Sequence, residues 1–221
     1  MQPAPETREG AARAVAPLFT ALVSYGLFLA LGFAVAHRPP GALDSASHAL
    51  IGRGALVAWM FTWTLYLQWL APLGIASIVV AILFPQWRIR VALTLIVLLV
   101  MWFASDQLQH LFGRPRRMDW VVKHETAMSF PSGHATLAVA FYGLWAYLLS
   151  RSHELRPRGR TVASGLLIAL VLAVCWSRLA LGAHYPSDVV GGILLGVSGV
   201  GVALGVCAWL KVPLYGRFLG D

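Results

Sequence analysis

Long apolar stretches separated by short polar segments run along the whole chain. A helix that crosses the hydrocarbon core of a bilayer needs about 20 mostly apolar residues. Six stretches reach or approach that length, and little of the chain remains outside them. The pattern therefore predicts one membrane-embedded domain without a separate soluble domain. The predicted spans are residues 15–36, 56–84, 91–112, 133–150, 161–181 and 187–210.

From these spans we predict an all-α fold, a six-transmembrane-helix bundle that covers residues 15–210. Composition agrees, because 58% of the residues are hydrophobic and only 12% are charged, which is not typical of a soluble domain. Residues 1–14 are predicted to form a disordered cytoplasmic tail, and residues 211–221 a cytoplasmic C-terminal tail. Cys175 and Cys207 both fall inside predicted spans, where small buried side chains are expected.

The distribution of basic residues predicts which side of the membrane each loop occupies. Cytoplasmic loops carry an excess of Lys and Arg, and ten of the seventeen such residues lie on the side that both termini share. We therefore predict cytoplasmic termini in a bacterial inner membrane, with the opposite loops facing the periplasm or the cell exterior. The net charge of +8 is divided between two faces, so anionic lipid headgroups are expected as partners rather than nucleic acid. The ten residues are Arg8, Arg13, Arg88, Arg90, Arg151, Arg156, Arg158, Arg160, Lys211 and Arg217.

The string Pro131-Ser132-Gly133-His134 opens the fourth predicted span. A helix N-terminus presents free backbone N–H groups and a partial positive charge, which together suit a phosphate. Pro131 fits a helix start, the Ser132 hydroxyl can cap the helix or bind an oxyanion, and Gly133 lets a ligand approach the backbone. Taken alone, the string is equally compatible with a capped helix whose histidine lies at the membrane interface.

A second string, Ser177-Arg178 followed by His184 and Asp188, connects the fifth predicted span to the sixth. His184 and Asp188 are four residues apart, so in a helical turn the carboxylate can reach one imidazole nitrogen. Such a contact selects the tautomer and raises the basicity of the other nitrogen, and Arg178 suits phosphate oxygens. An interfacial arginine and a capping histidine are the structural alternative. Because both strings fall on one predicted face, the functional interpretation is favoured.

A third segment on the same face runs from Gln107 to Arg117 and holds three arginines within four residues. Such a cluster attracts anionic headgroups, and by itself indicates only a membrane surface. With all three segments the chain resembles the type 2 phosphatidic acid phosphatase (PAP2) superfamily, whose members are membrane lipid phosphatases. The family motifs are Lys-(six residues)-Arg-Pro, Pro-Ser-Gly-His and Ser-Arg-(five residues)-His-(three residues)-Asp. The second and third are complete here, and the resemblance covers roughly residues 91–210.

The first motif departs from the family pattern, because neither possible register provides its lysine. In the preferred register Arg116 takes the arginine position and Gln109 the lysine position; in the other, Arg114 and Gln107 take these places. A glutamine still donates hydrogen bonds to a phosphate but adds no charge. We therefore expect the departure to affect rate and substrate more than fold. Candidates for the missing charge are Arg114, Arg117 and Lys123.

The resemblance implies a role for each motif residue. His184 attacks phosphorus and forms a phosphohistidine, Asp188 orients it, and His134 serves first as general acid and then as base. A metal-independent reaction without a cofactor is expected, because no Asp/Glu cluster suited to Mg²⁺ lies beside these residues. The residues expected to bind the substrate phosphate are Arg116, Arg178, Ser132, Gly133, Gln109 and Arg114.

The leading hypothesis is hydrolysis of a lipid phosphate or diphosphate. Undecaprenyl diphosphate, phosphatidic acid, phosphatidylglycerol phosphate and a lipid A phosphate are the candidate substrates. One alternative is phosphotransfer from the phosphohistidine to another lipid, and a second is a non-catalytic lipid-binding protein with a decayed site. The intact motif residues argue against decay. No feature of the sequence selects one lipid or one oligomeric state.

Overall fold

The structure, a computed structural model, describes residues 5–117 and 127–215, and this part of the chain consists of helices and loops without a strand. Two 3₁₀ turns, Ser47–Leu50 and Pro85–Trp87, and a π-helical turn, Val139–Gly143, accompany the α-helices. The α-helices are α1 (Pro5–Val35), α2 (Ala42–Ala46), α3 (Ala55–Trp63), α4 (Leu67–Leu83), α5 (Arg88–Phe112), α6 (Gly133–Ala138), α7 (Leu144–Ser150), α8 (Pro157–Ala180) and α9 (Pro186–Trp209).

Four helices of the described residues are long and apolar enough to cross a membrane, namely Arg13–Val35 of α1, Pro85–Phe112, α8 and α9. Helices α3 and α4 form a bent pair with 44° between them and add a fifth span if the pair crosses once. The remaining predicted span, residues 133–150, is a continuous helical run of α6, the π turn and α7. An all-helical arrangement of the described residues, with four to five candidate membrane spans, is thus confirmed, and six spans stay a prediction.

Helix α1 begins at Pro5 and therefore extends into residues 1–14, which the sequence pattern assigns to a disordered tail. The local sequence is compatible with a helix, because proline is tolerated in the first turn, where its missing N–H would have no helical partner. The Ala, Glu and Arg residues that follow have high helix propensity. Helix α1 then packs against α9.

The helical run from α6 to α7 lies among α5, α8 and α9. Its side chains at Ala135, Ala138 and Ala140 are completely buried. Helix α9 comes very close at Gly192, where an added Cβ would lie 2.5 Å from the carbonyl oxygen of Ser132. This approach requires glycine, and it places the first turns of α9 against the start of α6.

The bend between α3 and α4 brings a third element to the same place. Tyr66 has an extended backbone (φ −74°, ψ 151°) and precedes α4. The carbonyl oxygen of Thr64, which lies in the bend, accepts a hydrogen bond from the Tyr142 hydroxyl at 3.3 Å. A carbonyl that a helix end leaves without its helical partner is therefore satisfied, and the bend is anchored to the helical run at the centre of the bundle.

An ion pair between a buried arginine and a more exposed glutamate closes the other end of the bundle. Arg90, near the start of α5, donates to both carboxylate oxygens of Glu154, at 3.0 and 2.7 Å, and to the carbonyl oxygen of Leu214 at 2.5 Å. Paired hydrogen bonds of this kind give an ion pair both strength and a defined geometry. The pair therefore connects α5, the α7–α8 loop and the segment that follows α9.

Candidate active site

Ser132 lies at the start of α6, where its backbone N–H donates to the carbonyl oxygen of Asp188 at 3.0 Å. Its side chain is fully buried and makes no cap hydrogen bond to the helix. Among the residues that the structure describes, its hydroxyl has no hydrogen-bond partner. Because a buried hydroxyl without a partner is costly, this group is suited to an oxyanion that enters the site. Of the two roles expected for Ser132, capping and oxyanion binding, the geometry favours the second.

His184 lies in the turn between α8 and α9, and its side chain is almost completely buried. Its Nδ1 is 2.9 Å from the carbonyl oxygen of Ser129. A carbonyl can only accept, so Nδ1 carries the proton and Nε2 carries a lone pair. Nε2 lies 3.1 Å from Nη1 of Arg116, which donates to it. The ring is therefore held in the tautomer that a nucleophile at Nε2 requires.

Electrostatics keep this imidazole neutral. Burial, and next the positive charge of Arg116, lower the pKa of His184 to about 4, although Asp188 opposes the shift and Arg178 adds to it. At neutral pH the lone pair on Nε2 is thus available. The positive groups that depress the pKa would also attract a phosphate to the same nitrogen.

Asp188, in the first turn of α9, is completely buried. Its Oδ2 is 3.6 Å from Nδ1 of His184, longer than a hydrogen bond, and accepts instead from the Ser129 hydroxyl at 2.5 Å and the Tyr185 backbone N–H at 2.9 Å. Its Oδ1 accepts from Nη1 of Arg114 at 2.5 Å. The carboxylate thus lies beside the ring, as the spacing predicts, but the direct hydrogen bond to Nδ1 comes from the Ser129 carbonyl.

Arg114 is buried between two carboxylates. Its Nη1 contacts Asp188, and its Nη2 donates to Oδ2 of Asp44 at 2.8 Å. Burial disfavours the charged guanidinium, but these two carboxylates outweigh that effect and raise the pKa of Arg114. Arg114 is expected to bind the substrate phosphate, but its guanidinium already binds Asp188 and Asp44.

Arg116 occupies a different position. Its guanidinium is held by three backbone carbonyl oxygens, those of Ala127, Ala183 and Met128, at 2.9, 3.0 and 3.0 Å. These contacts leave Nη1 beside Nε2 of His184. The geometry therefore favours the register of the first motif in which Arg116, not Arg114, takes the family arginine position.

Arg178 reaches the site from the last turn of α8. It is completely buried, and its Nη1 donates to the Thr62 hydroxyl of α3 at 2.6 Å. Its charge is close enough to His184 to lower the pKa of that ring. Helix α3 thus orients one of the two arginines that lower the pKa of His184.

His134 and Gln109 lie on a neighbouring cavity of about 230 Å³. The His134 ring meets the ring of Tyr66 edge-on, with centroids 5.0 Å apart. Gln109, expected at the family lysine position, donates from its side-chain amide to the carbonyl oxygen of Pro131 at 2.8 Å. Gln109 therefore holds the backbone of the loop before α6, and Gly133 lies against it, with an added Cβ 3.6 Å from its amide nitrogen. Lys123, a candidate for the missing charge, lies outside the described residues.

An apolar crevice of about 350 Å³ adjoins this cavity between α4 and α5. The two spaces share Leu65, Trp102 and Leu137 as lining residues. Ala71 of α4 and Leu99 of α5 lie on the crevice and are exposed on the surface of the spans. The apolar crevice on the surface of α4 and α5 therefore borders the cavity that His134 lines.

Several site residues escape any motif. Asp44, Thr62 and Ser129 all contact charged groups of the site, and none belongs to a string with a recognised spacing. For two of them, the sequence holds a feature that could have pointed to the site. Asp44 is the only carboxylate between the first and second predicted spans, and Thr62 is a polar residue inside an apolar span. Ser129 acts partly through its backbone carbonyl, which leaves no trace in a sequence.

Known proteins are similar to this chain in sequence and in fold. A profile of the PAP2 superfamily matches residues 91–211. The crystal structure of a transmembrane PAP2 type phosphatidylglycerolphosphate phosphatase from Bacillus subtilis superposes with a TM-score of 0.74 at 24% identity, over 90% of this chain and 99% of that chain. The two chains therefore have the same fold.

Relatives by sequence are similar over shorter segments. YbjG of Escherichia coli (strain K12), provisionally named as an undecaprenyl-diphosphatase, is 34% identical over 122 residues, which are 52% of this chain and 54% of its own length. Lipid A 1-phosphatase of Rhizobium johnstonii is 38% identical over 73 residues, 33% of this chain and 25% of that protein. Phosphatidylglycerophosphatase B of Bacillus subtilis (strain 168) is 34% identical over 74 residues, 34% of this chain and 36% of that protein. The matched segments thus span from a quarter to about half of these relatives.

Proposed function

The chain belongs to the PAP2 superfamily, and from this membership and the geometry of the site we propose that it is a membrane lipid phosphatase. It removes phosphate from a lipid phosphate or diphosphate through a phosphohistidine, without a metal ion or another cofactor. The observation that carries this proposal is the environment of His184, whose unprotonated Nε2 lies 3.1 Å from a guanidinium nitrogen of Arg116. A neutral nucleophile beside a fixed cation is what attack on an anionic phosphate requires.

In the first step, the lone pair on Nε2 of His184 forms a bond to phosphorus as the bond from phosphorus to the lipid oxygen breaks. That oxygen keeps the bonding electron pair and takes a proton from His134. The Nδ1 proton stays on the ring and keeps its hydrogen bond to the Ser129 carbonyl. The nearby charge of Asp188 stabilises the positive ring. The products of this step are the dephosphorylated lipid and the phosphohistidine.

In the second step, water attacks phosphorus and gives its proton to His134. The bond between phosphorus and Nε2 breaks and returns its electron pair to the ring, so that His184 is again neutral and inorganic phosphate leaves. Throughout, Arg116 and Arg178 with the Ser132 hydroxyl and the backbone N–H groups at Gly133 hold the phosphoryl oxygens. The proton from water replaces the one that His134 gave to the lipid, so His134 ends each cycle protonated as it began.

Two observations support a lipid substrate. The apolar crevice between α4 and α5 adjoins the cavity of His134, so a lipid tail can stay in apolar surroundings while its phosphate meets His184. The relatives are named for undecaprenyl diphosphate, lipid A and phosphatidylglycerol phosphate, and we propose a substrate of this class. From the distribution of arginines we further place the site at the outer face of a bacterial inner membrane.

A phosphate-release assay on the purified chain in mixed micelles tests this function. The four candidate lipid phosphates are offered separately, with EDTA present, and His184→Ala serves as the matched inactive variant. We expect inorganic phosphate from at least one lipid, no loss on chelation, and none from the variant. Release that depends on an added divalent ion, or no release from any lipid, would contradict the proposal. A parallel arm with a neutral acceptor lipid separates hydrolysis from phosphotransfer, because transfer would move labelled phosphate to the acceptor instead of to water.

A further inference from the structure

Asp44 is a buried carboxylate outside all three motifs and outside residues 91–211, which the family profile matches. It lies on the short helix α2, in the connection between α1 and α3. Its oxygens accept hydrogen bonds from Nη2 of Arg114 at 2.8 Å, from the Ser187 backbone N–H at 3.1 Å and from the Ser187 hydroxyl at 2.8 Å. Asp44 thus contacts the residue that precedes Asp188 and the arginine that binds Asp188.

Arg114 lies between the two carboxylates and contacts both of them. Its Nη1 is 2.5 Å from Oδ1 of Asp188 and 2.7 Å from the Ser187 hydroxyl, while Nη2 faces Asp44. All three charged side chains are at most 6% exposed. In such surroundings charges interact strongly, and one guanidinium cannot neutralise two carboxylates. Taken by themselves, Asp44, Arg114 and Asp188 therefore carry one formal negative charge, and Asp188 brings it next to His184.

That net charge matters because positive charge develops on His184 when Nε2 bonds to phosphorus. If Asp44 were absent, the whole charge of Arg114 would oppose Asp188, and the carboxylate would stabilise the ring less. The Ser187 contacts have a second effect, since they hold the first turn of α9, from which Asp188 projects. Removing Asp44 would thus weaken both the charge and the placement of Asp188.

We propose that Asp44 is a positioning residue for the phosphatase reaction, which acts through Arg114 and Ser187 to hold Asp188 and to preserve its negative charge for His184. This inference rests on the proposed function. It also assigns a role in the reaction to the connection between α1 and α3, a part of the chain that lies outside the family motifs.

Asp44→Asn tests the inference, because the amide keeps the shape of the side chain and removes its charge. Glu154→Gln is the matched control: it also removes a carboxylate from a buried arginine, Arg90. Glu154 precedes α8 and His184 follows it, so the control lies about 36 Å away along a helix of 24 residues that rises about 1.5 Å per residue. Both variants are compared with the wild type for kcat, KM and the midpoint of thermal unfolding.

For Asp44→Asn we expect kcat at least tenfold lower in the folded protein, with KM within about twofold of the wild type, and a slower burst of phosphoenzyme. For Glu154→Gln we expect a lower unfolding midpoint with kcat unchanged. A kcat for Asp44→Asn within twofold of the wild type overturns the inference, and so does a loss confined to stability in both variants. A wild type that acts on no lipid phosphate would instead refute the proposed function.

If Asp44→Asn does not fold, Ser187→Ala decides the question. This change removes one hydroxyl and leaves the Ser187 backbone N–H in contact with Asp44. We expect kcat to fall at least threefold with KM unchanged. An unchanged kcat would overturn the inference.

Discussion

At the scale of single residues, the hydrogen-bond partner of Nδ1 decides what His184 can do. The Ser129 carbonyl oxygen, 2.9 Å away, makes Nδ1 a donor and leaves Nε2 with a free electron pair. The family spacing assigns this orientation to Asp188, whose carboxylate is 3.6 Å from the same nitrogen. We therefore propose that Asp188 acts through its charge and through Ser129, whose hydroxyl donates to it.

The low pKa of His184 leads to a prediction about pH. Folding lowers this pKa from 6.5 to about 4, so Nε2 stays unprotonated as the pH falls through the usual range of histidine and gains a proton only near pH 4. We expect the acid limb of kcat/KM that belongs to His184 to lie near pH 4, once the titration of the substrate phosphate has been measured separately and divided out. A limb near pH 6.5 after that correction would mean that the ring is solvated, which would contradict the buried environment described for His184.

The two arginines of the first motif are predicted to differ in what they support. Arg116→Ala removes a donor beside Nε2, so we expect kcat/KM to fall about 100- to 1000-fold and the inhibition constant for inorganic phosphate to rise. Arg114→Ala removes the guanidinium that bridges the buried carboxylates of Asp44 and Asp188, and breaking such a buried ion pair costs about 3–5 kcal/mol of folding free energy. We expect a lower midpoint of thermal unfolding and, because Arg114 connects Asp44 to Asp188, a lower kcat, with the inhibition constant for inorganic phosphate unchanged.

Phosphate inhibition and thermal unfolding of both variants separate these roles. A stable Arg114→Ala protein with weakened phosphate inhibition, together with an unaffected Arg116→Ala protein, would support the other register of the motif. In that register Gln107 would take the place assigned to Gln109.

Motif spacing predicts well which residues meet and less well how they touch. Arg116 contacts His184 and Ser132 contacts Asp188, because these residues lie near the ends of helical runs that the apolar pattern locates. Gln109 was expected at the phosphate, and its amide instead holds the carbonyl oxygen of Pro131. Contacts to backbone carbonyls depend on the path of the loops, and neither hydropathy nor spacing reports that path.

At the scale of elements, hydropathy places the long helices to within a few residues. The predicted spans 91–112 and 187–210 correspond to helices Arg88–Phe112 and Pro186–Trp209. The predicted span 56–84 is interrupted after Trp63 and bends by 44°. Hydropathy cannot reveal such a bend, because the residues on both sides of it are equally apolar. The only proline of this span, Pro72, lies inside α4 and not at the bend.

The crevice between α4 and α5 provides a prediction at this scale. Ala71→Phe introduces a large side chain at an exposed lining position of the crevice. If lipid tails occupy this space, we expect KM for a long-chain lipid phosphate to rise about tenfold or more, because one lost or hindered apolar contact costs about 1–3 kcal/mol. Activity on a water-soluble short-chain phosphate should stay within about twofold, because its chain does not reach the crevice.

Ala76→Phe is the matched control, since it makes the same change in the same helix at an exposed position that does not line the crevice. We expect it to leave both substrates unaffected. Equal effects of the two variants, or an equal loss on long and short substrates, would exclude the crevice as the place of the tail.

At the scale of the whole molecule, the bundle separates two charge clusters, each of which contains a buried arginine. Arg90 and Glu154 tie together the end that we assign to the cytoplasm, and Arg114 with Asp44 and Asp188 ties the site at the other end. Buried charges of this kind are costly unless they are fully paired. The apolar helices between them, which the sequence predicts directly, keep the ends apart, whereas the pairing partners were not predictable because they lie far apart in the sequence.

In the proposed mechanism His184 carries the phosphoryl group, and rapid quenching with a lipid labelled at the phosphate detects this intermediate. The protein is quenched in base, in which a phosphohistidine survives, and is digested so that mass spectrometry can locate the label. We predict label on His184 within the first turnover, in the presence of EDTA, and neither label nor turnover in His184→Ala. Label on another residue, or a His184→Ala variant that still releases phosphate at the rate of the wild type, would contradict the claim.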